Sequence, residues 1–291
     1  MSVFKSGFVG IFGKPNAGKS TLLNSILNEK LAIVSPKAQT TRNKILGILT
    51  EKNYQIVFSD TPGILKSNYK LHDRMLQEIE QAKQGTDVIL YVADVKDSVE
   101  ENKELIKQFK IKAPIILALN KCDKSNNHQI EICKKEYDSL KQIKAILPIS
   151  AIHKSGIDEL KQAIAELLPE MPPYYEEDTI TDKPMRFFVS ELIREKLFFL
   201  LKEELPYHAA VMVRQYEEKE NLTKIQADII VSRETQKGII IGKGGSMIKE
   251  IGQSARLDIE KFIEKKVFLE LFVKVRKDWR NNDLYLKEYG Y

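Results

Sequence analysis

The feature that most constrains this chain is the stretch Gly13-Lys14-Pro15-Asn16-Ala17-Gly18-Lys19-Ser20-Thr21. It fits the spacing G-x-x-x-x-G-K-[ST], and its flanks are the ones that motif needs. Phe8–Phe12 before it is a strand-like apolar run, and Thr21–Leu27 after it reads as a helix. Glycines in such a turn let backbone N–H groups point inward at a helix N-terminus, where they cradle an anion. Lys19 is expected to reach β- and γ-phosphates, and Ser20 to place its hydroxyl on Mg²⁺.

A chain of 291 residues, 43% hydrophobic, can bury the cores of two domains. Its longest apolar runs, such as Val88–Ala93 and Ile115–Leu119, are strand-length. They fall well short of the roughly 20 residues that span a bilayer. Met1–Lys5 has no signal-peptide plan, and the two cysteines, Cys122 and Cys133, point to no disulfide framework. A cytoplasmic protein is expected. The net charge of +5 hints at an anionic partner, but from Met171 onward acids and bases balance. Bulk charge therefore does not mark the C-terminal part as a nucleic-acid binder, and that claim has to rest on local motifs.

Through about residue 168, strand-like runs (8–12, 43–50, 54–59, 87–93, 114–119, 144–149) alternate with helix-like ones (18–28, 69–84, 98–110, 128–141, 157–168). That alternation predicts an α/β fold, a mostly parallel six-stranded sheet with helices on both faces. The link between 43–50 and 54–59 is too short for a crossover, so this pair is an antiparallel edge hairpin. Ligands bind at the carboxyl ends of such strands, and the next motifs fall there. Asp60-Thr61-Pro62-Gly63 offers a carboxylate for Mg²⁺ and a glycine N–H to sense a γ-phosphate. In Asn120-Lys121-Cys122-Asp123, the Asp123 carboxylate can accept both the ring N–H and the exocyclic amine of guanine, which adenine does not offer. Asn120 would brace that pocket and the Lys121 stem would cover the base. Ser150-Ala151-Ile152 can present a backbone N–H to the guanine carbonyl.

With four motifs in this order, residues 6–168 resemble the Ras-like GTPases, the motifs matching their G1, G3, G4 and G5 boxes. The resemblance implies GTP/GDP as ligand and Mg²⁺ held by Ser20, Asp60 and a threonine of switch I, residues 33–41. That threonine is Thr40 or Thr41; relatives with a Thr-Arg pair favour Thr41, which precedes Arg42. Lys19, Thr41 and Gly63 are the expected catalytic residues. Switch II would be 64–72. Where many relatives carry a water-orienting glutamine this chain has Ile64, which implies slow intrinsic hydrolysis. In relatives with Pro-Asn-x-Gly-Lys-Ser the asparagine, here Asn16, helps bind K⁺ in place of an arginine finger.

Leu168–Asp178 is Pro-rich and then acidic, and reads as a linker. The expected division is a G domain over 1–170, a linker over 171–185 and a second domain over 186–291. Phe187–Leu205 reads as a helix whose Leu197–Leu201 run would cover a sheet or touch a membrane, the first being favoured. Strands over 209–216 and 225–232 follow, then Ile239-Ile240-Ile241-Gly242-Lys243-Gly244-Gly245-Ser246, a helix to about 264 and a strand over 267–275. In that order the G-x-x-G loop resembles a type II KH domain, which clamps about four nucleotides of single-stranded RNA. Ile241–Ser246 and Lys249 are the expected RNA-binding residues. Ile239, Ile240 and Ile241 divide between base groove and core in a way the sequence leaves open. Trp279 and Tyr285 lie in a terminal stretch where packing is favoured over base stacking.

Both halves together resemble the Era-type family of bacterial GTPases over almost the entire chain. The resemblance implies a monomeric GTP-controlled switch that binds the 3′ end of 16S rRNA and assists maturation of the 30S subunit. It also implies peripheral contact with the inner face of the cell membrane. The alternative is a GTPase acting chiefly in cell-cycle or membrane-associated signalling, with RNA binding secondary.

Overall fold

The computed structural model describes residues 3–35, 37, 40–63, 69–107, 109 and 112–291. The chain packs as two units. One comprises Met1–Ala32, Thr41–Lys66 and Met75–Asp182, the other Ile33–Thr40, Ser67–Arg74 and Lys183–Tyr291.

The first unit is built on six strands: β1 (Lys5–Phe12), β2 (Ile45–Glu51), β3 (Tyr54–Asp60), β4 (Val88–Asp94), β5 (Ile115–Asn120) and β6 (Ile143–Pro148). Their order is β2-β3-β1-β4-β5-β6, and only β2, paired with β3 across a tight hairpin, runs antiparallel. Strands covered on both faces need apolar side chains at every position. Val88–Ala93 are accordingly buried without interruption, as are Ile115–Leu119. The helices of this unit are α1 (Lys19–Leu27), α2 (Lys70–Gln84), α3 (Val99–Lys107), α4 (Asn127–Tyr137) and α5 (Ile157–Leu167). The first turn of α2 clusters with the second unit. Among the described residues no helix is long and apolar enough to cross a membrane.

At the β2–β3–β1 end, one sheet face is covered by the Pro-rich stretch rather than by a helix. Leu46, Ile48 and Val57 form a buried patch against which Phe8 and Tyr175 pack. The Phe8 and Tyr174 rings lie 4.9 Å apart. The edge of β2 is closed as well: Ile48 N–H donates to the Ile180 carbonyl (2.9 Å), and the Thr181 hydroxyl to the Leu46 carbonyl (2.8 Å). Gln55, fully buried, pins this strap. Its Oε1 accepts from the N–H groups of Tyr174 (2.7 Å) and Tyr175 (3.0 Å), and its Nε2 donates to the Tyr175 carbonyl (2.9 Å). The stretch read as a linker is thus bound to the first unit as far as Asp182.

The second unit runs α6 (Met185–Leu200), β7 (Ala210–Glu218), β8 (Thr223–Val231), α7 (Glu234–Ile241), α8 (Ser246–Ile263), β9 (Val267–Val275) and α9 (Asp283–Glu288). Its sheet order is β7-β8-β9, with β7/β8 antiparallel and β8/β9 parallel. Alternate residues Ile225, Ala227, Ile229 and Val231 of β8 point into a core closed by Val189, Leu192, Ile193 and Leu197 of α6 and Ile251, Ala255 and Ile259 of α8. The apolar run of α6 is therefore core, apart from Phe199, which is 55% exposed. Helix α6 also buries charge. Arg194, 1% exposed, is paired with Glu191 (2.6 Å) and donates to the Thr40 carbonyl (2.5 Å). Glu195 accepts from the Val34 N–H (3.1 Å). At the other end, Lys70 and Arg74 pair with Asp283, and the Arg280 guanidinium lies 4.3 Å from the centre of the Tyr69 ring. Trp279 is fully buried, its indole N–H donating to the His208 carbonyl (3.2 Å), so its role is packing.

Replacing Gln55 by Leu keeps the volume but leaves two strap N–H groups and a carbonyl without partners. The expected cost is about 2 kcal/mol, read as a lower urea midpoint, with faster proteolytic cleavage within 171–182 than in the parent.

Candidate nucleotide site and a groove in the second unit

The loop from Gly13 to Gly18 leaves β1 and enters α1 through residues held open by close neighbours. A Cβ at Gly13 would stand 2.2 Å from the Val92 carbonyl oxygen, so no other residue fits there. Asn16 takes a left-handed conformation (φ 62°) and Ala17 is buried. Lys14 is tied to Glu101, while Pro15 lies against Gly63. Lys19 folds back over the loop, its Nζ donating to the carbonyls of Gly13 (3.1 Å) and Lys14 (2.9 Å). Burial lowers its pKa to about 8, against the opposing pull of Asp60. A buried ammonium held by two carbonyls is suited to a ligand that brings its own negative charge.

Ser20, Thr41 and Asp60 converge. The Ser20 hydroxyl lies 2.8 Å from the Thr41 hydroxyl and donates to Asp60 Oδ2 (2.8 Å); Thr41 approaches the same oxygen at 3.4 Å. The Thr40 hydroxyl instead bonds the Lys37 carbonyl (2.8 Å). Asp60 is fully buried, burial raises its pKa, and its Oδ1 has no hydrogen-bond partner. Two hydroxyls and a carboxylate with one oxygen unpartnered are the hard donor set that Mg²⁺ prefers, and the three residues fit that ion. Thr61 holds the strand end in place through its bond to the Ile11 carbonyl (2.8 Å), and Pro62 and Gly63 are buried.

Residues 120–123 are tied to this loop by the side chains of Asn120 and Lys121. Asn120, 2% exposed, donates to the Ala17 carbonyl (2.9 Å) and accepts from the Ala151 N–H (3.0 Å). Lys121 stretches across to the Asn16 carbonyl (2.7 Å) and pairs with Asp94 (2.7 Å). Asp123 is exposed, and the Ser150 hydroxyl donates to its Oδ1 (2.6 Å), which lowers its pKa and keeps it ionised. Ile152 is 71% exposed beside it. Thr21, one residue into α1 from Ser20, is partly buried. Ile64 and the rest of 64–68 lie outside the described residues, as do Pro36, Ala38 and Gln39 of the first switch segment.

In the second unit, Gly242 breaks α7 with φ +74°, and a Cβ there would meet the Met247 backbone and side chain at 2.8 Å. Lys243 and Gly244 are exposed, Gly245 is half-buried, and Ser246 and Lys249 are exposed on the first turns of α8. The three isoleucines divide: Ile240 is core, Ile239 is 58% exposed and Ile241 is half-buried at the loop. Beside the loop lies a groove of about 300 Å³ between α8 and β9, walled by Lys249, Gly252, Gln253 and Arg256 on the helix and Leu269 and Leu271 on the strand. Gly252, Gln253 and Arg256 escaped the sequence reading. Their spacing from Lys249, three, four and seven residues on, is one helical face and was the available signal.

Comparison with known proteins places the two units in two families and finds relatives over the whole chain. The 50S ribosome-binding GTPase family matches residues 8–121, and the KH domain family matches residues 204–280. The chain is 44% identical to the GTPase Era of Carboxydothermus hydrogenoformans, over 99% of this chain and 98% of that protein. It is 46% identical to that of Clostridium botulinum, over 99% of each. A crystal structure of an Aquifex aeolicus Era variant bound to GDP·AlF4⁻ superposes with a TM-score of 0.94 at 38% identity, covering 99% of both chains. An Era structure in complex with MgGDPNP and nucleotides 1506–1542 of 16S ribosomal RNA gives 0.93 at 39%, again over 99% of both.

If Asp123 reads guanine, Asp123→Asn presents one acceptor and one donor where guanine needs two acceptors. GTP affinity should fall about 100-fold (~3 kcal/mol), and xanthosine triphosphate, with a carbonyl in place of the amine, should bind better than GTP. Titration calorimetry with both nucleotides checks this.

Proposed function

The chain belongs to the Era family of GTPases, and from that premise we propose that its nucleotide state controls an RNA clamp acting on the 3′ end of 16S rRNA during 30S subunit maturation. It binds and hydrolyses GTP. The observation that carries the assignment of roles is the Asn120 amide, which joins the phosphate loop to the 150–152 loop with Asp123 beside it.

In this reading the triphosphate lies along the N–H groups of residues 13–18, with Lys19 drawn from its carbonyls onto the β- and γ-phosphates. The N–H of Gly63 faces the γ-phosphate. Asp123 takes the two donors of guanine, a backbone N–H of 150–152 takes its carbonyl, and the Lys121 stem covers the ring. Ser20, Thr41 and Asp60 hold Mg²⁺, which when bound offsets the charge of the phosphate oxygens. Thr41 is assigned over Thr40 because its hydroxyl faces Ser20. Isoleucine at position 64 offers the attacking water no hydrogen bond, so intrinsic turnover is slow. Asn16, exposed on the loop, is the donor assigned to K⁺. Both cysteines are free thiols, in keeping with work in the reducing cytoplasm.

The RNA clamp is assigned to Ile241–Ser246, Lys249 and the groove beside them. Glycine N–H groups allow close approach of a sugar-phosphate backbone, the leucines face bases, and Lys249 and Arg256 meet phosphates. If GTP raises RNA affinity, RNA raises GTP affinity by the same factor.

The deciding experiment is crosslinking to total RNA with GTP or GDP bound. Gly244→Asp is the clean loop variant: a Cβ there meets nothing within 4 Å, and aspartate tolerates φ 60°. It should lower 16S crosslinking about tenfold while leaving GTP binding unchanged. Equal RNA affinity in the two nucleotide states would refute the switch. Turnover should be faster in K⁺ than in Na⁺ buffer, and Asn16→Ala should remove that difference.

A further inference from the structure

Strand β9 shows different chemistry on its two sides. Leu269 and Leu271 face the groove, whereas Phe268 and Phe272 stand on the opposite side of the sheet, 51% and 41% exposed. Two large aromatic rings in solvent on one strand carry an unfavourable hydration cost unless something covers them. Four residues apart on a strand, they are separated by roughly 13 Å.

Their surroundings are charged and ordered. Phe272 pairs in register with Asp228 of β8, which is 1% exposed despite lying on this outer face. Arg214 Nε lies 2.8 Å from Asp228 Oδ1, and Lys274 Nζ lies 2.7 Å from its Oδ2. One buried carboxylate thus fixes two cations, one from each neighbouring strand, beside the rings. The Arg214 guanidinium also lies over the Phe272 ring, 4.9 Å from its centre. Glu270, between the two phenylalanines, is turned to Gln226 Nε2 (2.8 Å). Exposed rings beside fixed cations on an open sheet face suit bases that stack and phosphates that pair.

β9 is an edge strand. A strand of nucleic acid leaving the groove over Leu269 and Leu271 has only that edge to cross before it meets Phe268 and Phe272. We propose that this outer face is a second single-strand RNA platform, continuous with the groove, on which Phe268 and Phe272 stack bases and Arg214 and Lys274 hold the backbone. The proposal rests on the RNA-binding reading above.

The test uses the full chain with a non-hydrolysable GTP analogue and two RNAs. One spans nucleotides 1506–1542 of 16S rRNA, the segment bound by the related Era. The other is about four nucleotides from its 3′ end, which the groove alone can hold. Phe268→Ala and Phe272→Ala should each weaken the long RNA about tenfold and leave the short one unchanged. Phe→Tyr at both positions should retain affinity, and 4-thiouridine in the long RNA should crosslink to the peptide carrying residues 268–274. Unchanged long-RNA affinity in the double alanine variant overturns the platform. So does an equal loss on both RNAs, which would mean damage to the groove. If the parent binds neither RNA, the RNA-binding reading itself fails, and that outcome is distinct from the other two.

Discussion

The nucleotide site depends on one buried amide. Asn120 is the last residue of β5, and its side chain joins the Ala17 carbonyl in the phosphate loop to the Ala151 N–H after β6. Three loops leaving three strands are held in one geometry by two hydrogen bonds from a group that is 2% exposed. Such bonds are modest in net stability, about 1 kcal/mol each, but leaving either partner unpaired in the interior costs more than the bond contributes. Loss of either bond is thus penalised, which favours one arrangement of the loops that carry Lys19 and Asp123.

A second constraint is the covering of sheet faces. In the first unit the β2–β3–β1 end has no helix over Leu46, Ile48 and Val57, and the strap takes that place through Gln55 and two tyrosines. In the second unit, α6, α7 and α8 pack on one face of the sheet, while the other keeps Phe268 and Phe272 in solvent. The strap is a structural answer to exposed apolar surface. The open face around Asp228 has no such answer within the described residues of its unit.

Both units bury charge, and in both a buried charged group keeps an atom without a hydrogen-bond partner. Around Ser20, Thr41 and Asp60 a fully buried carboxylate keeps one oxygen unpartnered, a cost that a cation bound there would offset. Along α6 the buried charges are closed in pairs, Arg194 with Glu191 and Lys196 with Asp258. Arg194 Nη2 also donates to the Thr40 carbonyl, one residue before the hydroxyl that faces Ser20, while its Nη1 is left without a hydrogen-bond partner. A buried pair of this kind contributes little net stability compared with apolar packing, but it fixes one position of the segment it touches.

The sequence by itself determined the motifs and the sheet. The loop 13–21, Asp60–Gly63, Asn120–Asp123 and Ser150–Ile152 are local patterns at strand ends, and strand and helix periods are properties of neighbouring residues. What only the tertiary structure decided are relations between distant residues. Thr41 faces Ser20, whereas the Thr40 hydroxyl bonds the Lys37 carbonyl. Ile240 rather than Ile239 enters the core because of how α7 sits on the sheet, and Trp279 is buried with its indole N–H on the His208 carbonyl and the Tyr289 and Tyr291 rings beside it. The binding of residues 171–182 to the β2 edge, and the clustering of 33–40 and 67–74 with the second unit, are likewise non-local. Composition announces that a stretch is polar or proline-rich, but its partners are chosen by a surface that exists only once the sheet it covers has formed.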